Sequence, residues 1–144
     1  MALAIFAAVL VGTYAFRDVP TDGSEVIAEF EAAMAADTAG GTTPEETLSL
    51  FVAALRANDA EGAAEYFLLD DELSREKWVV RLNDLKRRGL LARMADDIEE
   101  NAVLGTPSYE GDAGFFIRNP DGTISTEIDM ELNPFSGVWK LQSF

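Results

Sequence analysis

The spacing of apolar residues changes near residue 102, and this change limits the fold more than any other feature of the chain. Between residues 43 and 101, apolar residues recur every three or four positions, as on one face of an amphipathic helix. Between residues 124 and 132 they alternate with polar residues, which is typical of a strand with one buried face. Helices followed by an antiparallel meander predict an α+β domain with the helices covering one face of the sheet.

The segment TPEETLSLFVAALRANDAEGAAEYF, residues 43 to 67, carries the clearest helix signals. Thr43 is a suitable N-cap, Pro44 suits the first helical position, and Glu46 completes a capping box. Four apolar residues follow with the spacing i, i+3, i+4, i+7, namely Leu48, Phe51, Val52 and Leu55. Asp59 caps a second helix that closes the segment.

Two more helices and four strands are predicted after this segment. One helix starts at Asp70 or Asp71 and ends at the KRRG run, and another spans residues 90 to 101. The predicted strands cover residues 102–109, 114–118, 123–132 and 138–144. One face of the third strand is predicted to be buried, with Ile124, Thr126, Ile128, Met130 and Leu132. The opposite, outer face of the sheet is predicted to meet water or a partner through Glu127, Asp129, Glu131 and Lys140.

Residues 1–16, MALAIFAAVLVGTYAF, contain no charged side chain, and three interpretations of them compete. As a helix they would be about 24 Å long, which is slightly short for a membrane span, so they predict an anchor whose start is missing or misplaced. Alternatively they are a signal peptide with an apolar core from Leu3 to Val11, or a buried helix of the domain core. The first two interpretations place the rest of the chain on the extracytoplasmic side, in the cell envelope.

Residues 17–42 are predicted to be an acidic tether with one short helix. Ser24 is a suitable N-cap for this helix, which would run from Glu25 to about Ala36. Its apolar stripe would consist of Val26, Ile27, Phe30, Ala33 and Met34. The α+β domain then occupies residues 43–144.

Composition excludes several kinds of chemistry. The chain has no cysteine and no histidine, which excludes disulfides, zinc sites built on these residues, and mechanisms that pair histidine with serine or cysteine. The net charge of −15 disfavours binding to nucleic acid or to anionic lipid headgroups. The acidic groups at residues 70–72 and 96–100 lack the alternating spacing of a calcium loop. No metal and no cofactor is therefore predicted.

The 43–67 segment and the terminal GVWKLQSF together resemble bacterial members of the nuclear transport factor 2-like (cystatin-like cone) superfamily. The resemblance covers residues 43–144, and it is carried by scaffold residues: Pro44-Glu45-Glu46, Phe51, Leu55, Asn58-Asp59, Tyr66-Phe67 and Trp139-Lys140-Leu141. It is similar in particular to membrane-anchored domains of unknown function. The resemblance implies a cone in which helices pack on a curved antiparallel sheet. The superfamily contains both enzymes and transport or assembly modules, so the resemblance does not settle the function.

The function predicted from these features is a non-catalytic, extracytoplasmic binding or assembly domain that is tethered to the membrane. The alternative is a small isomerase- or lyase-type enzyme acting on an apolar substrate, which requires a desolvated carboxylate with a tyrosine donor inside the cone. No catalytic residue is assigned. The candidates for a small ligand pocket are Tyr66, Trp78, Tyr109 and Phe116. A protein partner or a homodimer is expected at the outer sheet face, and an accessory domain without any ligand is a third interpretation.

Overall fold

The structure, a computed structural model, describes residues 23–144, which form helices and an antiparallel sheet. The helices of this part of the chain are α1 (Ser24–Ala36), α2 (Pro44–Arg56), α3 (Ala60–Ala64), α4 (Glu76–Arg87) and α5 (Leu91–Asn101). The strands are β1 (Ala102–Leu104), β2 (Asp112–Arg118), β3 (Ile124–Leu132) and β4 (Trp139–Ser143). The predicted α+β class is confirmed, whereas the apolar N-terminal segment lies outside the described residues. Within residues 23–144, no helix combines the length and the hydropathy that a membrane span requires.

Helix α2 forms where its local signals predict it. The Thr43 hydroxyl accepts a hydrogen bond from the backbone N–H of Glu46 at 3.2 Å, as an N-cap does. The Glu46 carboxylate bonds the backbone N–H of Thr42 at 2.7 Å and its hydroxyl at 2.9 Å, and these bonds lower the pKa of Glu46. All four residues of the predicted apolar stripe are buried: Leu48, Phe51, Val52 and Leu55.

Helix α1 differs from its prediction in its N-cap residue and in how much of its apolar stripe is buried. Gly23, with φ of 70°, occupies the N-cap position that the sequence suggests for Ser24. Val26 and Ile27 are exposed, whereas Phe30 meets Phe135 edge to face at 6.4 Å and Met34 is buried, so α1 packs against the domain through its second half. There the backbone carbonyl of Met34 accepts a hydrogen bond from the side-chain amide of Asn133 at 2.8 Å.

The sheet has the order β1-β2-β3-β4, with every neighbouring pair antiparallel. The free edge of β4 is covered by the segment around Phe67, which forms a short parallel bridge with Leu141. In this bridge the N–H of Leu68 donates to Leu141 and the N–H of Leu141 donates to Tyr66, at 2.9 and 2.8 Å. This pairing satisfies backbone groups that an edge strand otherwise leaves open.

The core lies between the helices and one face of the sheet. The sheet contributes alternate side chains from β2 and β3 and one from β4, namely Ala113, Phe115, Ile117, Ile128, Met130 and Leu141. Phe67 stacks on Trp78 with ring centroids 4.1 Å apart and meets Phe51 edge to face at 5.6 Å. Phe144 packs at 5.5 Å from the Trp78 ring, so the end of β4 is held by this aromatic cluster.

One prediction about β1 and one about β3 are wrong. The first strand is shorter than predicted and ends at Leu104. Ile124 was assigned to the buried face of β3 but is 52% exposed. The pairing of Ile117 with Thr126 and of Arg118 with Ile124 shifts the register between β2 and β3, so the strict alternation stops before Ile124.

Candidate functional site

An apolar opening in the described part of the chain is a groove between the α4–α5 pair and the sheet. Its volume is about 490 Å³. Its wall is formed mainly by apolar side chains, which include Leu85, Leu90, Met94, Ile98, Ile117 and Phe144. Helices and strands rather than loops position most of these residues, so the groove is held by rigid elements of the fold. We call this opening the α4–α5 groove.

The turn between α4 and α5 shapes one end of this groove. Helix α4 ends at the predicted KRRG run, where Gly89 adopts φ of 69° and its N–H donates to the carbonyl of Lys86 at 2.9 Å. The N–H of Leu90 donates back to the carbonyl of Leu85 at 2.9 Å, so the chain reverses at once into α5. The reversal brings the end of one helix and the start of the next to the same side of the groove.

Charged and polar groups line the same groove. Arg88, Arg93 and Asp97 contribute to its lining, and all three are exposed, which places them at its mouth. From the sheet side, the hydroxyl of Ser125 lines the groove and donates to the carbonyl of Ile117 at 3.0 Å. The groove therefore joins an apolar wall to a polar mouth, the usual composition of a small-molecule binding site.

The four aromatic residues that the sequence suggests as pocket candidates are distributed over the molecule. Trp78 is buried in the aromatic cluster, and Tyr66 is half-buried beside β4. Phe116 projects from β2 on the face opposite Phe115, because successive residues of a strand alternate between its faces. Tyr109 is 58% exposed in the loop before β2.

Tyr109 lines a smaller groove of about 280 Å³, together with Pro44 and Trp139. The negative charge of Glu131 raises the pKa of Tyr109, with smaller contributions from partial burial and from Asp112. A ligand-binding role for the four aromatic residues stays a prediction.

A buried lysine, Lys140, forms the second polar feature of the domain, and its predicted position is wrong. Lys140 was predicted to face water or a partner on the outer sheet face, yet its side chain is fully buried. It is paired with Glu131 across the sheet, but the chain between α1 and α2 covers it. Its ammonium donates to a carboxylate oxygen of Asp37 at 2.8 Å and to the carbonyls of Ala39 and Glu65 at 2.7 and 2.6 Å.

The carboxylate of Asp37 bridges two cations. One oxygen accepts from Lys140, and the other accepts from the guanidinium of Arg75, which also donates to the carbonyl of Phe67 at 2.5 Å. Burial lowers the pKa of Lys140 from 10.5 to about 8, and the bond and charge of Asp37 oppose this shift only in part. Three acceptors occupy all three protons of the ammonium group, so the geometry suits a structural tie rather than a reacting amine.

The acidic clusters noted in the sequence serve other roles. Asp96 accepts a hydrogen bond from Arg56 at 2.8 Å, and Glu99 bonds the same guanidinium. Asp70 accepts from the backbone N–H groups of Glu72 and Ser74 at 3.0 and 2.9 Å, which shapes the turn before α4. Over residues 23–144, no three carboxylates are arranged to hold a metal ion.

Comparison of the chain with protein-family models, with curated proteins and with solved structures gives no match. What the α4–α5 groove binds is therefore inferred from its own side chains, and the fold is described by the α+β arrangement observed.

Proposed function

We propose that the chain is a non-catalytic, extracytoplasmic binding domain, tethered to the membrane by residues 1–16, and that the α4–α5 groove binds the apolar part of its ligand. The observation that carries this proposal is the groove itself, an apolar opening of about 490 Å³ between helices and sheet. Ligand sites in proteins are typically concave, mostly apolar and of this size.

The free energy gained when apolar groups leave water for the groove supports binding of an extended apolar chain. Each methylene group that leaves water contributes about 0.8 kcal/mol. The walls that would receive such a chain include Met94 and Ile98 from α5 and Ile117 from β2. Because these residues belong to packed helices and strands, little conformational entropy is lost when a ligand enters.

The finer description of the fold belongs to the same proposal. We propose that residues 43–144 form a variant of the nuclear transport factor 2-like cone, with the α4–α5 groove at its opening. The order of helices before an antiparallel meander, and a groove between the two layers, support this description. A partner or a second copy at the outer sheet face stays a prediction.

A photoreactive analogue of dodecanol tests the groove, since a neutral chain responds to the apolar wall alone. Full-length protein in phosphatidylcholine nanodiscs is irradiated with this probe, and labelled peptides are quantified by mass spectrometry. Thr126 lines the groove, whereas Glu127, the next residue of β3, is exposed. We expect labelling of α5 and β3 peptides that Thr126→Trp abolishes and Glu127→Trp preserves. Equal labelling of both variants, with circular dichroism spectra like that of the parent, would refute the groove as the binding site.

The membrane tether is tested separately by fractionation of cells that produce the full-length chain or a chain starting at Asp18. We expect the full-length protein in the membrane fraction and the shorter chain in the soluble fraction. A full-length protein that stays soluble and unprocessed would contradict the extracytoplasmic assignment, because both the anchor and the signal-peptide interpretation would then be wrong.

A further inference from the structure

We infer that the ligand of the α4–α5 groove is an anionic single-chain amphiphile, whose acidic head meets Arg88 and Arg93 while its apolar chain lies in the groove. This inference names the ligand class and rests on the binding function proposed for the same site. It is carried by the charges at the mouth of the groove and by the partners that these charges have.

The side chains of the two arginines at the mouth have fewer hydrogen-bond and salt-bridge partners than the other arginines of the described residues. The guanidinium of Arg93 makes no hydrogen bond or salt bridge within residues 23–144, and that of Arg88 has one distant contact, at 3.7 Å, with Asp84. The remaining arginines of this part of the chain each bond a carboxylate or a carbonyl: Arg56, Arg75, Arg81, Arg87 and Arg118. Both arginines without strong partners in this part of the chain therefore lie at the groove.

The charge balance of the mouth is opposite to that of the chain. Among the charged side chains that line the groove, Arg88 and Arg93 outnumber Asp97, and Asp84 contacts Arg88 from outside the lining, whereas the whole chain carries a net charge of −15. Asp97 follows Arg93 by one helical turn, yet no salt bridge joins the two in the described structure. An anion approaching this protein is repelled by most of its surface, so a local excess of positive charge beside an apolar groove favours one place and one orientation of binding.

The chemistry of the two side chains matches an acidic headgroup. A guanidinium group offers parallel N–H donors that fit the two oxygens of a carboxylate, or those of a phosphate. The start of α5, which follows Leu90 without a side-chain cap or an acidic residue in its first turn, adds the positive end of a helix dipole. A fully apolar ligand would use none of these groups.

Paired photoreactive analogues of dodecanoate and dodecanol test the inference with full-length protein in phosphatidylcholine nanodiscs. Both share one chain, so the difference between them isolates the headgroup. Because the arginines are exposed, we expect the apparent affinity of the carboxylate probe in the labelling assay to be only roughly fivefold higher than that of the alcohol probe. The double variant Arg88→Gln, Arg93→Gln should reduce the carboxylate to the level of the alcohol. The matched control is Arg87→Gln, since Arg87 is exposed, lies next to Arg88 and is absent from the groove lining.

The outcomes separate this inference from the proposed function. Labelling of the groove by both probes with equal affinity overturns the anionic headgroup but leaves an apolar ligand site. Absence of groove labelling by either probe overturns both proposals. An equal loss with Arg87→Gln and with the double variant overturns the assignment to Arg88 and Arg93, because it indicates general attraction to the end of α4. A photoreactive dodecyl phosphate in the same assay ranks the two anions.

Discussion

Lys140 provides the sharpest test of the structure, because its burial makes the stability of the fold depend on pH in an unusual direction. Asp37, Arg75 and Glu65 are the charged residues around its ammonium group. The pKa of Lys140 is lowered to about 8 in the folded state from 10.5, chiefly by burial. Below pH 8 both the folded and the unfolded chain carry the proton. Between pH 8 and 10.5 the unfolded chain binds more protons than the folded one, so the free energy of unfolding rises with pH.

The size of the effect follows from the two pKa values. At about 1.4 kcal/mol per pH unit, the whole interval between about 8 and 10.5 corresponds to roughly 3 kcal/mol. Because half of the folded molecules have already lost the proton at pH 8, roughly 2 kcal/mol of this gain falls between pH 8 and pH 10. Tyr109, whose pKa is raised from 10.0, titrates above this range and with the opposite effect on stability.

Urea unfolding measures this gain when the parent protein is compared with Lys140→Met, which removes the titrating group and keeps a side chain of similar length. Both full-length proteins are unfolded at several pH values between 7.5 and 10 and followed by far-ultraviolet circular dichroism. The free energy of unfolding of the parent, relative to the variant, should rise by roughly 2 kcal/mol from pH 8 to pH 10. A difference that stays flat or falls would show that the ion pair with Asp37 outweighs burial, and the reasoning would be refuted.

Three further substitutions test other contacts, each by urea unfolding at pH 7. Asp37→Ala leaves the buried Lys140 without its carboxylate and should lower the free energy of unfolding by about 3–5 kcal/mol. A decrease below about 1 kcal/mol would mean that the ion pair between Asp37 and Lys140 is not formed. Thr47→Val removes the hydroxyl that accepts from the N–H of Gly41 at 2.8 Å, for an expected loss of about 1–3 kcal/mol, whereas an unchanged stability would indicate that water replaces it. Phe67→Ala opens a cavity in the aromatic cluster and should cost about 3–5 kcal/mol; a smaller loss would show that the cluster collapses to fill it.

The parts of the fold that the sequence predicts are those with local causes. Thr43, Pro44 and Glu46 act within one helical turn, so they identify the start of α2 without knowledge of the rest of the chain. Gly89 marks the end of α4 in the same way, because its left-handed φ closes the helix within the KRRG run. Local signals of this kind fix the elements, their order and therefore the α+β class.

The α4–α5 groove was not predicted, because no single periodic pattern describes it. The helical spacing of Met94 and Ile98 within residues 90 to 101 predicts that both face the core, but it does not predict the open groove between them and Ile117. Arg88 belongs to the basic run Lys86-Arg87-Arg88, whose place before Gly89 favours helix capping over binding of an anion or a lipid headgroup, and no sequence pattern singles out Arg93. The signal that points to them is their lack of strong partners, and this appears only when the positions of the acidic residues are known.

Lys140 shows why the alternation of side chains along a strand does not by itself predict which residues are exposed at the edge of a sheet. Its position on β4, opposite Glu131, correctly places it on the face away from Leu141, but a second layer of chain covers that face locally. The covering residue Asp37 lies 103 positions earlier, in the segment assigned to the tether. A lysine ammonium can be buried when acceptors meet each of its protons, and such acceptors are supplied by the tertiary fold rather than by neighbours in sequence.

The same contact explains how α1 is held although its apolar stripe is largely exposed. Met34 is buried at the end of the helix and Phe30 meets Phe135, but Val26 and Ile27 are more than half exposed, so apolar packing supports mainly the second half of this helix. The bonds of Asp37 to Lys140 and Arg75 fix the chain just after the helix. A buried ion pair contributes little net stability relative to an apolar one, but its geometry admits few alternatives. The position of α1 on residues 43–144 is therefore set more by polar geometry at Asp37 than by the area that α1 buries.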